Sequence, residues 1–492
     1  MPAANAPIES FGFQQQFYTK LPECYVEAEA AKFSSPGLVY FNTEFAQSIK
    51  ANFPEDEDAL ASLFSAQTIP HDAKPIAQAY AGHQFGHFNP QLGDGRAMIL
   101  GELSCTDGSI IELDLKGSGP TNFSRNGDGK AGLGAMLREV LISEGMHALG
   151  VATTRSLAVV TTGEQVFRSP PQAGAVLART ASSHIRIGTF QFFAARKQND
   201  VLEKLVHYCI DRHYPLLKNS PQPAFDLLHA SIKAQAKLVA QWMGVGFIHG
   251  VMNTDNMLIG AETIDYGPCA FMDIYDPRTV FSSIDKNSRY AYMNQPPVAQ
   301  WNLARFAETL LPLLHEDHDE AILLATDAVK SFSDEYAAQF RLVMSCKLGL
   351  QEEADPEAVD SLIEEWNRVL YECKLDWTST HRALSDYLNE NIRYEDFIAL
   401  FQENVSIAAW LEQRSKLSKA DCSSMLQVNP IVIPRNHLVE EALDAASLNA
   451  NFAPFDELLA VLQAPFTQPK NDKYTQAAPT AFTDDFVTYC GT

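Results

Sequence analysis

Apolar and polar positions alternate with a period of two along much of the first half of the chain. In "SIIELDLKG", Ile111, Leu113 and Leu115 fall on one face of a predicted strand and Glu112, Asp114 and Lys116 on the other. The run "AMILGEL" precedes it across Cys105-Thr106-Asp107-Gly108, and Asp-Gly between apolar runs predicts a hairpin. The period then changes. Leu133, Leu137, Val140 and Leu141 in "AGLGAMLREVLISEGMHALG" recur at helical spacing, with Gly145 or Gly150 as the stop. "SLAVVTTGEQVFR" and "AGAVLARTA" return to strand character, so the first two thirds of the N-terminal half read as strands and tight turns around one helix. From about Asp200 the pattern is helical, in "VLEKLVHYCIDRHY", "AFDLLHASIKAQAKLVAQWMGVG" and amphipathic stretches between about Val298 and Lys419. The predicted fold class is α+β, with a strand-rich N-terminal part and a mostly helical C-terminal part.

One segment interrupts the helices. "NMLI" and "TIDY" around Gly260-Ala261-Glu262 read as a short two-stranded ribbon with Asn256 and Asp265 at opposite ends. Strands with one inserted helix, then helices, resemble a bilobed protein kinase. In kinase-like enzymes a histidine precedes a catalytic aspartate, an asparagine follows five positions later, and an Asp-aromatic-Gly comes further on. Counting from His249, the aspartate position holds Val251, the asparagine position holds Asn256, and Asp265-Tyr266-Gly267 supplies the second signature. The metal-binding positions are kept while the usual proton acceptor is missing. Asp255 is the nearest carboxylate able to replace it. A structural turn built on Asn-Thr-Asp-Asn would give the same letters.

Composition narrows the function classes. Sixty-one acidic against 37 basic residues give a net charge of −24, which argues against a general nucleic-acid binder. There is no run of about 18 uncharged apolar residues, so no membrane span is expected. The start lacks a basic region followed by an apolar one, and a cytoplasmic location is the expectation. Eight scattered cysteines with no CxxC make a zinc site or a disulfide framework a poor fit.

Four further constellations bear on phosphate chemistry. Gly93 and Gly95 bracket Asp94 and precede Arg96; such glycines let backbone N–H groups approach an oxyanion, and a hairpin turn would look the same. Lys116 at a strand end and Glu139 on the next helix fit a phosphate-binding lysine held by a carboxylate, or a surface lysine and a solvated glutamate. Asp128 and Gly129 stand before a helix start, as an anion site or a flexible loop. Arg179 and Arg186 near strand ends suit a polyphosphate, though paired surface arginines are common.

Together these segments resemble the selenoprotein O family. The resemblance runs through "YAGHQFGHFNPQLGDGRA", "DLKGSGPTNFSRNGDGKAGLGAMLREVLISEGMHALGV", "HGVMNTDNMLI" and "IDYGPCAFMD" and covers most of the chain. It implies a kinase-like fold without the usual catalytic aspartate, and ATP lying inverted so that its α-phosphate faces the acceptor. The implied reaction transfers AMP to Ser, Thr or Tyr hydroxyls of proteins and releases pyrophosphate. Nucleotide binding would fall to Gly93, Gly95, Arg96, Lys116, Asp128, Gly129, Arg179, Arg186 and Asp265, with Lys116 held by Glu139. Asn256 and Asp265 would hold Mg²⁺ or Mn²⁺, and Asp255 would accept the proton. Cys490 matches the family's C-terminal selenocysteine or cysteine, which in bacterial-type members can form a disulfide for which Cys269 is the match. The expected organisation is an extension and N-lobe over 1–195, a helical C-lobe over 196–465 and a tail over 466–492, in a monomer. A conventional phosphotransferase using Asp255 as base, and a nucleotide-binding scaffold without chemistry, are the alternative readings.

Overall fold

The computed structural model describes residues 10–168, 171–402, 407–419, 421–483 and 485–489. The strands of the first half are β1 (Tyr25–Glu27), β2 (Gly37–Phe41), β3 (Ile76–Gln78), β4 (Gly82–Gln84), β5 (His87–Asn89), β6 (Ala97–Ser104), β7 (Ile110–Lys116), β8 (Ala131–Gly132), β9 (Arg155–Val166) and β10 (Gln172–Ala181). Two short strands follow, β11 (Phe247–Ile248) and β12 (Ala270–Phe271). An antiparallel eight-stranded sheet runs β1-β3-β6-β7-β10-β9-β2, with β8 on β10. β4 and β5 form a separate hairpin, and β11 and β12 pair as a two-stranded sheet that brackets the segment between them.

The predicted hairpin is β6–β7, and the predicted helix is Leu133–Ala148. That helix ends before Gly150, while Gly145 stays inside it, where a Cβ would stand 3.0 Å from Pro434. Both faces of β7 are buried. Glu112, Asp114 and Lys116 are 0%, 1% and 6% exposed, so the polar face of the strand looks into the molecule rather than into solvent. Short helices at Gln16–Lys20, Thr43–Ser48 and Glu57–Phe64 break the strand-and-turn reading of the N-terminal segment. Two of them start on side-chain caps, Asn42 accepting from Phe45 N–H and Asp56 from Ala59 N–H.

The C-terminal half is helical, and Pro223–Val245, Gln295–Leu314 and His318–Leu348 pack against one another. One apolar core runs from Leu137 and Val140 through Phe190 and Trp242 to Leu303 and Phe306, and so joins sheet and helices. The fold is α+β and kinase-like, with a strand-rich N-terminal and a helical C-terminal region.

The ribbon expected around Gly260 is absent. Ala261 N–H closes a tight turn on Leu258 O, and each arm then pairs elsewhere: Leu258 with Arg186 and Thr263 with Thr153. Ile259 N–H donates to Ile185 O at 2.9 Å and Thr263 N–H to Ala152 O at 3.0 Å, so the backbone groups are satisfied by more distant segments. The segment "NPIVIPRNH" is ordered: Asn436 exchanges hydrogen bonds with the Phe271 backbone, and buried Arg435 pairs with Asp273 and Asp376. It thus braces the chain just beyond Asp265. The tail packs back through buried Tyr474, whose hydroxyl donates to Glu457, and through Phe486 against Phe281. Among the described residues no helix is long and apolar enough to cross a membrane.

Candidate active site

A cleft of about 540 Å³, counting its open mouth, lies between sheet and helices and is lined by Tyr80, Arg96, Lys116, Asp255, Asn256 and Asp265 among others. Sheet register builds its upper wall. Arg179 on β10 stands opposite Asp114 on β7, and the two form an ion pair at 2.8 Å. Lys116, the last residue of β7, pairs closely with Glu139 on the following helix and reaches Asp265 at 3.2 Å. Arg179 lies 3.6 Å from the other Glu139 oxygen. Both the lysine and the glutamate are buried, which overturns the surface-residue reading of this pair.

The lower wall is the loop from His249 to Gly267. Buried His249 donates from Nε2 to the carbonyl of Ile264, which ties the start of the loop to the residue before Asp265. Val251 is buried, and its carbonyl accepts the Asn256 amide at 3.0 Å, leaving the Asn256 carbonyl oxygen as acceptor in the cleft. Asp265 has φ +69°, a left-handed conformation that Asp tolerates better than most residues. Burial pushes its carboxyl up, but Lys116, Arg96 and Arg179 outweigh that and hold it well below the usual carboxylate range.

Asp255 sits in a short 3₁₀ turn, Thr254–Asn256. Its Oδ2 accepts from Gln84 Nε2 at 3.2 Å, and its Oδ1 is buried without a hydrogen-bond partner. Burial pushes its pKa up to about 6, against the pull of backbone hydrogen bonding and Arg186. Arg186 donates to the Asp255 carbonyl at 3.1 Å, approaches Asp94 at 3.4 Å, and stacks over Tyr80 with its carbon 4.2 Å from the ring centroid. Asp94, also buried, is pushed up to about 6 by burial.

The structure brings Gly95, Arg96, Lys116, Arg179, Arg186, Asp255, Asn256 and Asp265 to this cleft, with Glu139 behind Lys116. It does not bring Asp128, whose carboxylate is paired with Arg168 at 3.0 Å on the surface. Gly129 (φ +68°) is needed for packing, since a Cβ there would lie 2.2 Å from the Gly119–Pro120 backbone. Gly93 (φ +86°) serves the same end, because a Cβ would meet the Phe123 ring at 2.2 Å. These two loops lean on each other, and the anion reading of Gly93 and of Asp128-Gly129 finds no support in the cleft lining. Cys269 is a buried thiol whose pKa is pushed up to about 12 by burial, and Cys490 lies outside the described residues.

Sequence reasoning missed Tyr80, Gly82, Gln84 and Arg138. The first three lie in or beside the β4–β5 hairpin, whose contact with Asp255 is long-range. A Cβ on Gly82 would stand 2.4 Å from Asp255 Oδ1, so only glycine lets the hairpin approach this closely. Arg138, next to Glu139, donates to the carbonyls of Tyr266, Gly267 and Cys269 and pairs with Glu440. It fastens the Glu139 helix to the chain after Asp265.

A family profile described as "Protein adenylyltransferase SelO" matches residues 7–463. The chain belongs to this family. It is 45% identical to Protein nucleotidyltransferase YdiU of Rhizobium etli (strain CIAT 652) and 48% identical to the protein of that name from Mycolicibacterium paratuberculosis (strain ATCC BAA-968 / K-10), over 99% of each chain in both cases. It is 47% identical to the Chromobacterium violaceum protein over 96% of this chain and all of the other.

For a SelO-family cleft the charge inventory is informative. Four cations, Arg96, Lys116, Arg179 and Arg186, face five carboxylates, Asp94, Asp114, Glu139, Asp255 and Asp265. The cleft is therefore close to charge balance and cannot neutralise a triphosphate by itself. Among the described residues no three His, Cys, Asp or Glu side chains cluster as a cation cage. Asn256 and Asp265 supply two oxygen donors, the partial set that Mg²⁺ accepts when substrate phosphates and water complete its octahedron.

Proposed function

We propose that the protein transfers AMP from ATP to hydroxyl side chains of acceptor proteins with release of pyrophosphate, acting as a cytoplasmic monomer with Mg²⁺ or Mn²⁺. The carrying observation is the buried, unpartnered Oδ1 of Asp255 beside a cleft lined by Arg96, Lys116 and Asp265. Family membership supports nucleotidyl transfer, and the register of the loop supports Asp255 as its base, because Val251 offers none.

In this reading Asp255 takes the acceptor O–H proton as that oxygen attacks the α-phosphorus. The bond from the α-phosphorus to pyrophosphate breaks, and Lys116, held by Glu139, stays on the leaving phosphates with Arg96 and Arg179. The α-phosphate must face Asp255, which is the inverted orientation the family resemblance implies. A divalent ion on Asn256 and Asp265 would supply charge neutralisation on the phosphates. The chain's contribution is positioning and charge placement. The working parts would be an N-lobe over 1–195, a C-lobe over 196–465 and a tail over 466–492.

ATP labelled at either the α- or the γ-phosphate, with divalent metal and an acceptor mixture, tests the reading. Protein label from the α position alone is expected. Label from γ alone would make the protein a kinase, and nucleotide binding without label would leave a scaffold. Gly82→Ala tests the geometry around Asp255. Its methyl would displace the carboxylate, and turnover should fall about 10–100-fold with nucleotide affinity little changed, as turnover and binding measurements would show. Unchanged turnover would remove Asp255 from the chemistry.

Redox control through Cys269 and Cys490 is a further part of this reading. The Thr488 hydroxyl donates to Pro268 O at 2.7 Å, so the tail already runs beside the chain that carries Cys269. Buried and pushed up to about 12, the Cys269 thiol must be uncovered before it reacts. Mass mapping of oxidised protein with no Cys269–Cys490 peptide would remove the idea.

A further inference from the structure

Beside the cleft lies a second and wider concavity, about 1280 Å³ counting its open side. Its lining combines an apolar wall, Phe85, Ile284 and Trp301, with the cationic side chains of Lys286 and Arg289. The β4–β5 hairpin lines the groove and reaches Asp255 of the cleft by a hydrogen bond. Gln84 donates to Asp255, and the next residue, Phe85, lines the groove while its N–H donates to Asn253 Oδ1 at 3.1 Å. Asn253 is in turn two residues before Asp255 and accepts from the Tyr290 hydroxyl at 2.7 Å.

The charge of the groove is set by which groups are already engaged. Asp285 also lines it, but its carboxylate is turned inward and accepts from Arg289 N–H and Tyr290 N–H at 2.9 and 2.8 Å. It is only 6% exposed, so its oxygens are not presented to a bound segment, and Lys286 with Arg289 still outnumber it in the lining. Arg289 lies over Trp301 at 4.7 Å from the ring centroid, and its buried Nε has no hydrogen-bond partner. Lys286 is exposed and forms no ion pair within the described residues. Ile284 is 48% exposed and, with Phe85 and Trp301, gives the groove an apolar side next to its cations. In a chain of net charge −24, this is a cationic, apolar groove that joins the proposed base through one hairpin.

We propose that this groove seats an acidic segment of the acceptor protein and so selects which hydroxyls reach Asp255. The proposal rests on the adenylyl-transfer reading. A carboxylate of the acceptor would meet Arg289 and Lys286, and an apolar neighbour would cover Phe85 and Ile284. The hydroxyl residue then lies where the bound segment passes the β4–β5 hairpin.

A peptide series tests it. Each peptide carries a single serine and one aspartate placed from one to six residues away on either side, and each is paired with its asparagine counterpart. With α-labelled ATP, the best-placed aspartate is expected to lower KM about tenfold relative to asparagine, with kcat within about twofold. Lys286→Gln and Arg289→Gln, each checked for an unchanged melting temperature, should cut that preference to about threefold or less. Equal KM for every aspartate and asparagine pair, or a full preference in both variants, would overturn the docking proposal while leaving transfer intact. An absence of α-label on any peptide or protein, with ATP still bound, would overturn the transfer reading and the docking proposal together.

Discussion

Asp265→Ala is expected to abolish metal-dependent nucleotide binding and to lower adenylyl transfer by at least about 10³-fold. In the proposed reading Asp265 and Asn256 would hold the divalent ion, and loss of metal stabilisation costs several kcal/mol at the transition state. The variant also leaves Lys116 with only Glu139, and so disturbs the cation that would hold the phosphates. Calorimetric titration of ATP with and without the metal reads the first effect, and α-label transfer the second. Because Asp265 has φ +69°, alanine adds backbone strain of about 1–2 kcal/mol, and a melting curve is needed beside the activity. Asp265→Asn is the cleaner partner, since asparagine tolerates that conformation and keeps the volume while it removes the charge and one acceptor oxygen. Metal-dependent binding that survives in both variants would place the metal elsewhere.

Asp255→Asn should leave nucleotide affinity within a few-fold and reduce turnover by about 10²–10⁴, as loss of a general base does. Asparagine keeps the volume that Gly82 and Gln84 have been shaped around. The pH profile makes the prediction sharper. Burial raises the Asp255 pKa to about 6, and the base works only when deprotonated, so it is mostly competent at pH 7. Wild-type kcat/KM should therefore fall about tenfold per pH unit below about 6, and the residual activity of the variant should lack that limb. Nucleotide binding that collapses in Asp255→Asn would instead make this residue a ligand or a structural support.

Strand and helix periods are local properties, and where they are clear the elements match: β6, β7, β9, β10 and the Leu133–Ala148 helix all lie where alternation or helical spacing puts them. The helices at Thr43–Ser48 and Glu57–Phe64 were not read from the sequence; their caps, Asn42 and Asp56, and in the second the spacing of Leu60, Leu63 and Phe64, were the signals that could have found them. The loop register was legible because its spacing is short and fixed. His249, Val251, Asn256 and Asp265 sit within one chain segment, so counting suffices to show that the usual aspartate position holds Val251.

The destinations of polar faces were not legible in the same way. The alternation of β7 separates Asp114 and Lys116 from the leucines, but it cannot say that the polar side turns to a cleft and is buried there. That depends on Arg179 arriving opposite Asp114 and on Glu139 standing behind Lys116. Nor could spacing show that Asp128, which is adjacent to a glycine as Asp94 is, takes a different partner from Asp94. Asp128 is claimed by Arg168 at the surface, whereas Asp94 is buried beside Arg186.

By itself, then, the sequence determined the order and type of the main elements and the register of the loop that carries Asn256 and Asp265. Each of these is carried by residues close in the chain, where geometry follows from backbone periodicity. Only the tertiary structure decided that the β4–β5 hairpin closes on Asp255, that the arms around Gly260 pair with Ile185 and Ala152 rather than with each other, and that Arg138 ties the Glu139 helix to the chain after Asp265. Those contacts join residues far apart in the chain. Which of several chemically acceptable partners a hydrogen-bonding group takes is settled by how the whole core packs.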